Sequence, residues 1–135
     1  YKREESEGSE LTHNNLRARY NYGEAQVLDA VKEWGELSVY MMNALDQGKP
    51  EEIPSLINRN FDLRQQLMNI KGGQKDMVDI ARSAGASAKF TGSGGAIIGT
   101  YNNSTMFNVL KIKLKRSGIE IIKPRIVTNK LFKND

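Results

Sequence analysis

Gly85-Ala86-Ser87-Ala88-Lys89-Phe90-Thr91-Gly92-Ser93-Gly94-Gly95-Ala96 is the stretch that decides how this chain folds, because three glycines fall within four residues between two runs of extended character. Glycine lets the backbone take positive φ and lets another group approach without side-chain interference. Successive exposed amides in such a loop can form a concave anion site. Composition leaves two readings side by side: a structural hairpin turn, which is the commoner case, and a phosphate cradle. Just upstream, Met77, Ile80, Ala81 and Ala84 have helical spacing that Gly85 closes. Just downstream, Ala96-Ile97-Ile98 is the continuous apolar run of a buried strand over residues 96–101. The local prediction is therefore strand, tight loop, strand.

Working outward, Val27, Leu28, Val31, Trp34, Leu37, Met41, Met42 and Leu45 recur at three- and four-residue steps and predict one face of a long helix ended by Gly48-Lys49-Pro50. A second helix starts near Glu51 and Glu52, acids suited to a helix N-terminus, and runs to about Asn69 on Ile53, Leu56, Ile57, Phe61, Leu67 and Met68. Gly72 and Gly73 break the chain before the third helix. Beyond the glycine loop, residues 102–105 offer caps, and Met106, Phe107, Leu110 and Leu114 predict a fourth helix ending at Gly118. Residues 119–122 read as a last short strand, with Pro124 placing it at an edge. Residues 1–10 lack apolar periodicity and read as a flexible lead-in to a single domain over residues 11–135. The order predicts an α+β fold with helices packed on one face of a small, mainly antiparallel sheet.

The bulk properties narrow the function classes. A chain of 135 residues with 39% hydrophobic content can build one ordinary core. It has no cysteine and one histidine, so disulfides, thiolate metal sites and multi-imidazole sites are excluded. Lack of cysteine fits a reducing, cytoplasmic setting, and no apolar run approaches the roughly 20 residues of a membrane span. The chain opens at Tyr1, which suggests a piece of a longer protein. The net charge of +4 suits an anionic ligand, and much of the excess is late, in Lys111, Lys113, Lys115, Arg116, Lys123, Arg125, Lys130 and Lys133.

Taken with its flanks, the Gly85-Ala86 step, the Lys89-Phe90-Thr91 lead, Gly92-Ser93-Gly94-Gly95 and the following Ala96-Ile97-Ile98 resemble the third motif of the GHMP kinases. The segment Leu56-Ile57-Asn58-Arg59-Asn60-Phe61-Asp62-Leu63-Arg64 and the stretch His13-Asn14-Asn15-Leu16-Arg17-Ala18-Arg19-Tyr20 are similar to the glucuronokinase branch. The resemblance covers residues 11–101 or so. It implies the ferredoxin-like C-terminal fold of that superfamily, with Gly92, Ser93, Gly94 and Gly95 beside the nucleotide phosphates. It also implies ATP and Mg2+ in the full-length enzyme, an N-terminal kinase domain as partner, and a sugar such as glucuronate as substrate. The chain departs from the pattern in one respect: it has no phosphate loop of the Pro-x-x-x-Gly-Leu-Ser-Ser-Ala type. Catalytic residues are therefore not assigned, and the chain alone is expected to be inactive, because phosphoryl transfer depends on positioning and charge neutralisation.

Two further clusters are candidates for the sugar. Asn58, Asn60, Asp62 and Arg64 crowd the second helix, with Asn60 and Arg64 four residues apart on one face. They offer amides, an acceptor and a guanidinium to hydroxyls and a carboxylate, and Asn60, Asp62 and Arg64 are the substrate candidates. The plain alternative is a solvated helix face with an internal ion pair. Arg17 and Arg19 share a face if their segment is extended and could meet an anionic sugar or phosphate; the alternative is a basic surface strand. His13 has no identifiable carboxylate partner and is not assigned to catalysis. Three rivals stay open: another GHMP small-molecule kinase, a binding or regulatory module that keeps the fold without chemistry, and a nucleic-acid-binding domain. The last lacks the aromatic pair of an RNA-recognition sheet.

Overall fold

The computed structural model describes residues 9–126, with side chains from residue 15 onward. The elements run α1 (Ser9–Tyr22), α2 (Ala25–Asp46), a single 3-10 turn (Pro50–Glu52), α3 (Ile53–Leu67), α4 (Gly72–Ser83), β1 (Lys89–Phe90), β2 (Ile97–Ile98) and α5 (Ser104–Arg116). This is a helix-rich α+β fold around a two-stranded antiparallel sheet, with Lys89 opposite Ile98 and Phe90 opposite Ile97. Residues 1–8 of the expected lead-in lie outside the described residues, as do Lys130 and Lys133, while Ser9 and Glu10 open α1.

The helical periodicity translates only in part into burial: of the predicted α2 face Val27 and Leu37 are buried and Trp34 and Met41 half-buried, whereas Leu28, Val31, Met42 and Leu45 are exposed. On α2, Val27, Ala30, Leu37 and Ala44 are buried, and with Leu63 and Leu67 of α3 most of them form one core cluster against which Trp34 packs. The Trp34 indole satisfies its polar nitrogen by donating to the Asn60 carbonyl at 3.1 Å. A second cluster gathers Phe61, Met77, Val78, Ala81, Phe90, Leu110 and Leu114 beneath the hairpin. Helix α3 contributes to both clusters, Phe61 to one and Leu63 with Leu67 to the other. It is the central element, with only Ser55, Gln65 and Gln66 exposed along it. Asn103 caps α5, its side-chain oxygen accepting from the Met106 amide at 2.9 Å.

Three expectations are corrected. The buried strand expected over residues 96–101 is paired only at Ile97–Ile98, where Ile97 is half-buried and Ile98 is exposed, because one face of a two-stranded sheet is left to solvent. The segment that carries Arg17 and Arg19, read as extended, belongs to α1. Residues 119–122 form no strand: Ile119 is buried in the second cluster and its amide bonds back to Leu114, but the run that follows has no ladder partner among the described residues. A strand exists only by pairing, and sequence pattern alone cannot supply the neighbour.

Candidate functional site

The glycine loop, residues 91–96, is closed at its base by the Thr91 amide donating to the Ala96 carbonyl at 3.2 Å. Gly94 has φ +133° and Gly95 has φ +79°, conformations that other residues rarely adopt. Beneath the loop lies Gln74, a residue of the first turn of α4 and 1% exposed. A Cβ on Gly94 would stand 2.2 Å from the Gln74 side-chain oxygen. The loop thus rests on the N-terminal turn of α4, where the unsatisfied amides of the helix present partial positive charge.

The loop is gripped from the other side by Arg64. Its guanidinium donates to the Gly92 carbonyl and, at 2.9 Å, to the Ser93 carbonyl, and it lies 5.0 Å from the centre of the Phe90 ring. In a trans peptide the carbonyl and the next N–H point in opposite directions, and no peptide bond here is cis. Drawing the carbonyls of Gly92 and Ser93 toward Arg64 therefore turns the amides of Ser93 and Gly94 away from it.

Lys89, at the mouth of the hairpin, supplies a second cation. It is half-buried and its ammonium donates to the Phe90 carbonyl at 3.0 Å. Burial, and then the positive charge of Arg64, hold its pKa below the ordinary lysine value. Two cations beside one loop set a local potential that favours an anion. Lys89 was not among the residues singled out from sequence as a binding group; its place directly before the loop is the signal that points to it.

The polar face of α3 is an internal brace. Asn58 accepts the Ala88 amide on its side-chain oxygen at 3.0 Å, which pins the approach to β1. Asp62 accepts from Arg82 at 2.7 Å, and Arg82 also reaches the carbonyls of Asn58 and Ala88 and lies 5.3 Å from the Phe61 ring centre. Arg59 is paired with Glu33 of α2, its Nη2 at 2.9 Å. The hydrogen bond from Arg59, outweighing burial, holds the Glu33 carboxyl below the usual range. Sequence had suggested a pairing within α3; the acid Asp62 and the base Arg64 instead engage α4 and the glycine loop.

Of the residues expected at the sugar, Asn60, Asp62 and Arg64 are half-buried around this brace. Arg17 and Arg19 do not share a face, because two residues apart on a helix means about 200° of rotation. Arg17 is exposed, whereas Arg19 makes a bidentate pair with Glu24 at 2.7 and 2.8 Å and donates to the Leu67 carbonyl at 2.6 Å. That hydrogen bonding keeps the Glu24 carboxyl below its ordinary pKa. Arg19 thus fastens α1 to the end of α3. The His13 side chain lies outside the described residues.

The loop amides, Arg64 and Lys89 fit a phosphate group. Magnesium is different: among the described residues no group of three or more His, Asp or Glu side chains stands together to hold a metal. Nor is any described helix long and apolar enough to cross a membrane.

Residues 41–111 match the family described as GHMP kinases C terminal. The chain is 30% identical over 132 residues to a probable glucuronokinase 2 of Arabidopsis thaliana, covering 91% of this chain and 35% of that protein. It is 35% identical over 94 residues to glucuronokinase 1 of the same plant, covering 64% of this chain and 25% of the relative. The chain thus spans about a third or less of the length of the curated relatives it matches. No solved structure matches it significantly. The match takes in α3, α4 and the whole glycine hairpin, over half of the chain, and the chain belongs to the GHMP kinase family as a C-terminal domain.

Proposed function

We propose that this chain is the C-terminal portion of an ATP-dependent sugar-1-kinase that works in the cytoplasm on D-glucuronate, passing the γ-phosphoryl group of ATP to the anomeric hydroxyl. The observation that carries the reading is the glycine loop held open from both sides, by Arg64 at its carbonyls and by Gln74 beneath Gly94. Gly92, Ser93, Gly94 and Gly95 lie on the phosphate side, and Lys89 and Arg64 set a positive local potential there. Asp62, whose side chain is 41% exposed beyond its pair with Arg82, offers its second oxygen to a sugar hydroxyl, and Asn60, about 200° around α3 from it, is a separate candidate contact. Arg64 acts on this reading by positioning the loop. ATP and Mg2+ belong to the full-length enzyme, and the metal ligands and nucleophile-orienting groups come from an N-terminal kinase domain.

The family membership and the glucuronokinase relatives support the kinase class, and the substrate follows the relatives' names. The test is to join the chain to an N-terminal kinase domain and follow ADP and sugar-1-phosphate with glucuronate and with glucose. Turnover that prefers glucuronate and is absent from the 135-residue chain alone is the expected result. Sugar phosphorylation by the chain alone overturns the division of labour. Nucleotide binding without turnover in the joined protein favours a regulatory module, and turnover on a different alcohol favours another GHMP kinase.

A further inference from the structure

Helix α2 buries one side and leaves a second apolar side bare. Val27, Ala30, Leu37 and Ala44 face the core, whereas Leu28, Val31, Met42 and Leu45 are 38% to 63% exposed. With Gly35 and Ser38, also exposed, they follow one another as Leu28, Val31, Gly35, Ser38, Met42, Leu45 at alternating steps of three and four, the spacing of a helix-pairing seam. The six positions lie within about 100° of one another around the helix. None carries a charge, and the seam stays open among the described residues.

The seam is its own complement when reversed. Laid antiparallel on a second copy, about an axis between positions 36 and 37, it sets Leu28 against Leu45, Val31 against Met42, and Gly35 against Ser38 of the other copy. Each layer occurs twice, as the isologous interface of a two-fold dimer requires. The two small residues fall at the axis, near the middle of Ala25–Asp46, where crossing helices come closest. Glycine in a helix interior lowers stability relative to alanine, and a Cβ on Gly35 would meet nothing within 4 Å. No contact among the described residues uses the space this glycine leaves, whereas a second helix crossing there does. Ser38 already gives its hydroxyl to the Trp34 carbonyl at 3.1 Å, so covering it strands no donor. On the flank the same register lays the stem of Lys32 over Val39 and sets Asp46 beside Ala25, so no like charges are opposed.

We propose that this seam is the interface of a symmetric antiparallel dimer, its occupant being α2 of a second copy of this chain. The contact runs along about 26 Å of helix. With its flanks it buries on the order of 1,000 Å² over both copies, the small end of specific interfaces. The dimer is therefore weak and reversible, with a dissociation constant on the order of 100 µM. It stands apart from the kinase reading, because neither the glycine loop nor Arg64 takes part.

Sedimentation equilibrium of the 135-residue chain from roughly 10 µM to 1 mM should show monomer passing to dimer. Val31→Lys and Met42→Glu alter exposed positions. Each should leave the thermal midpoint of the dilute chain unchanged and weaken association at least about tenfold. Mixed in equal amounts, the two variants should associate again, because an antiparallel register places position 31 of one copy against position 42 of the other. A parent chain that stays monomeric throughout overturns the proposal, as does association untouched by either variant. A mixture that stays monomeric overturns the register and the proposal with it. If joining the parent chain to an N-terminal kinase domain abolishes association, the seam belongs to a contact within the longer protein and the proposal falls. Turnover is read in none of these measurements, so the dimer can stand where the kinase reading fails, and the reverse.

Discussion

Arg64 and Gly92 are joined across 28 residues of chain, the guanidinium of α3 donating to the first carbonyl of the glycine loop and, at 2.9 Å, to the Ser93 carbonyl beside it. The contact couples a helix that contributes to both core clusters to the glycine loop, the segment proposed to face the nucleotide phosphates. It makes Arg64 a positioning residue, and a positioning residue leaves a different experimental trace from a substrate contact.

Arg64→Ala should cost about 1–3 kcal/mol of stability, because charge-assisted bonds to two carbonyls are lost. Exchange at the Thr91 amide, which closes the loop on the Ala96 carbonyl, should accelerate. In a joined enzyme the efficiency with glucuronate and with its uncharged parent sugar should fall by equal factors. A selective loss on the acid would place the guanidinium against the substrate carboxylate instead.

Two loop glycines should respond in opposite ways. Gly94→Ala adds a Cβ 2.2 Å from the Gln74 oxygen at φ +133°, which should destabilise the domain by on the order of 3 kcal/mol. A Cβ on Gly92 meets nothing within 4 Å, and Gly92→Ala should stay within about 0.5 kcal/mol of the parent in a denaturant titration. Equal effects at the two positions would mean that Gln74 does not support the loop.

Arg82→Ala removes the partner of Asp62 and the donor to the carbonyls of Asn58 and Ala88. It should cost about 2–3 kcal/mol, more than Asp62→Asn, because the carbonyls left behind are partly shielded from water. Comparable losses in thermal unfolding for the two variants would show that the ion pair, not the carbonyl contacts, carries the brace.

Acid should loosen the α1–α2 and α2–α3 contacts. Glu24 and Glu33 both have folded-state pKa values below their ordinary ones, chiefly through hydrogen bonds from Arg19 and Arg59. Groups shifted in this direction contribute stability that is fully present above the unfolded pKa of about 4.3 and is lost as pH falls through the lower folded values. The midpoint of unfolding should therefore drop as pH is lowered below about 4.5, and the drop should shrink in an Arg19→Gln, Arg59→Gln double variant. An unchanged profile in that variant would assign the acid sensitivity to other carboxylates.

Asn103→Ala should lower stability by about 1 kcal/mol by leaving the Met106 amide uncapped, and Asn103→Ser should recover most of it. Failure of serine to rescue would point to a role outside the cap.

Much of the fold was legible from residue spacing. Val27, Leu37, Phe61, Met77, Leu110 and Leu114 stand at helical steps within their own helices and are buried, whereas Leu28, Val31, Met42 and Leu45 of the same predicted face are exposed, because α2 has too few neighbours to cover it. The glycines of residues 92–95 marked a tight connection between strands, because positive φ is a local property that glycine alone takes freely, and Gly94 and Gly95 have it. The partner of a polar side chain, by contrast, is a property of the packed state. Arg64 could have paired with Asp62 or met a carboxylate in solution; the approach of the hairpin to α3 gave it loop carbonyls and left Asp62 to Arg82. The pair Arg17 and Arg19 was divided by the helix that carries them, since the weakly amphipathic segment before Gly23 has no strong period to announce it. Residues 119–122 have the composition of a strand and form none among the described residues, because ladder bonds need a second backbone alongside. Sequence determined which faces are apolar and where the chain turns; tertiary structure decided who meets whom, because long side chains and strand edges choose among partners that only the assembled fold brings within about 3 Å.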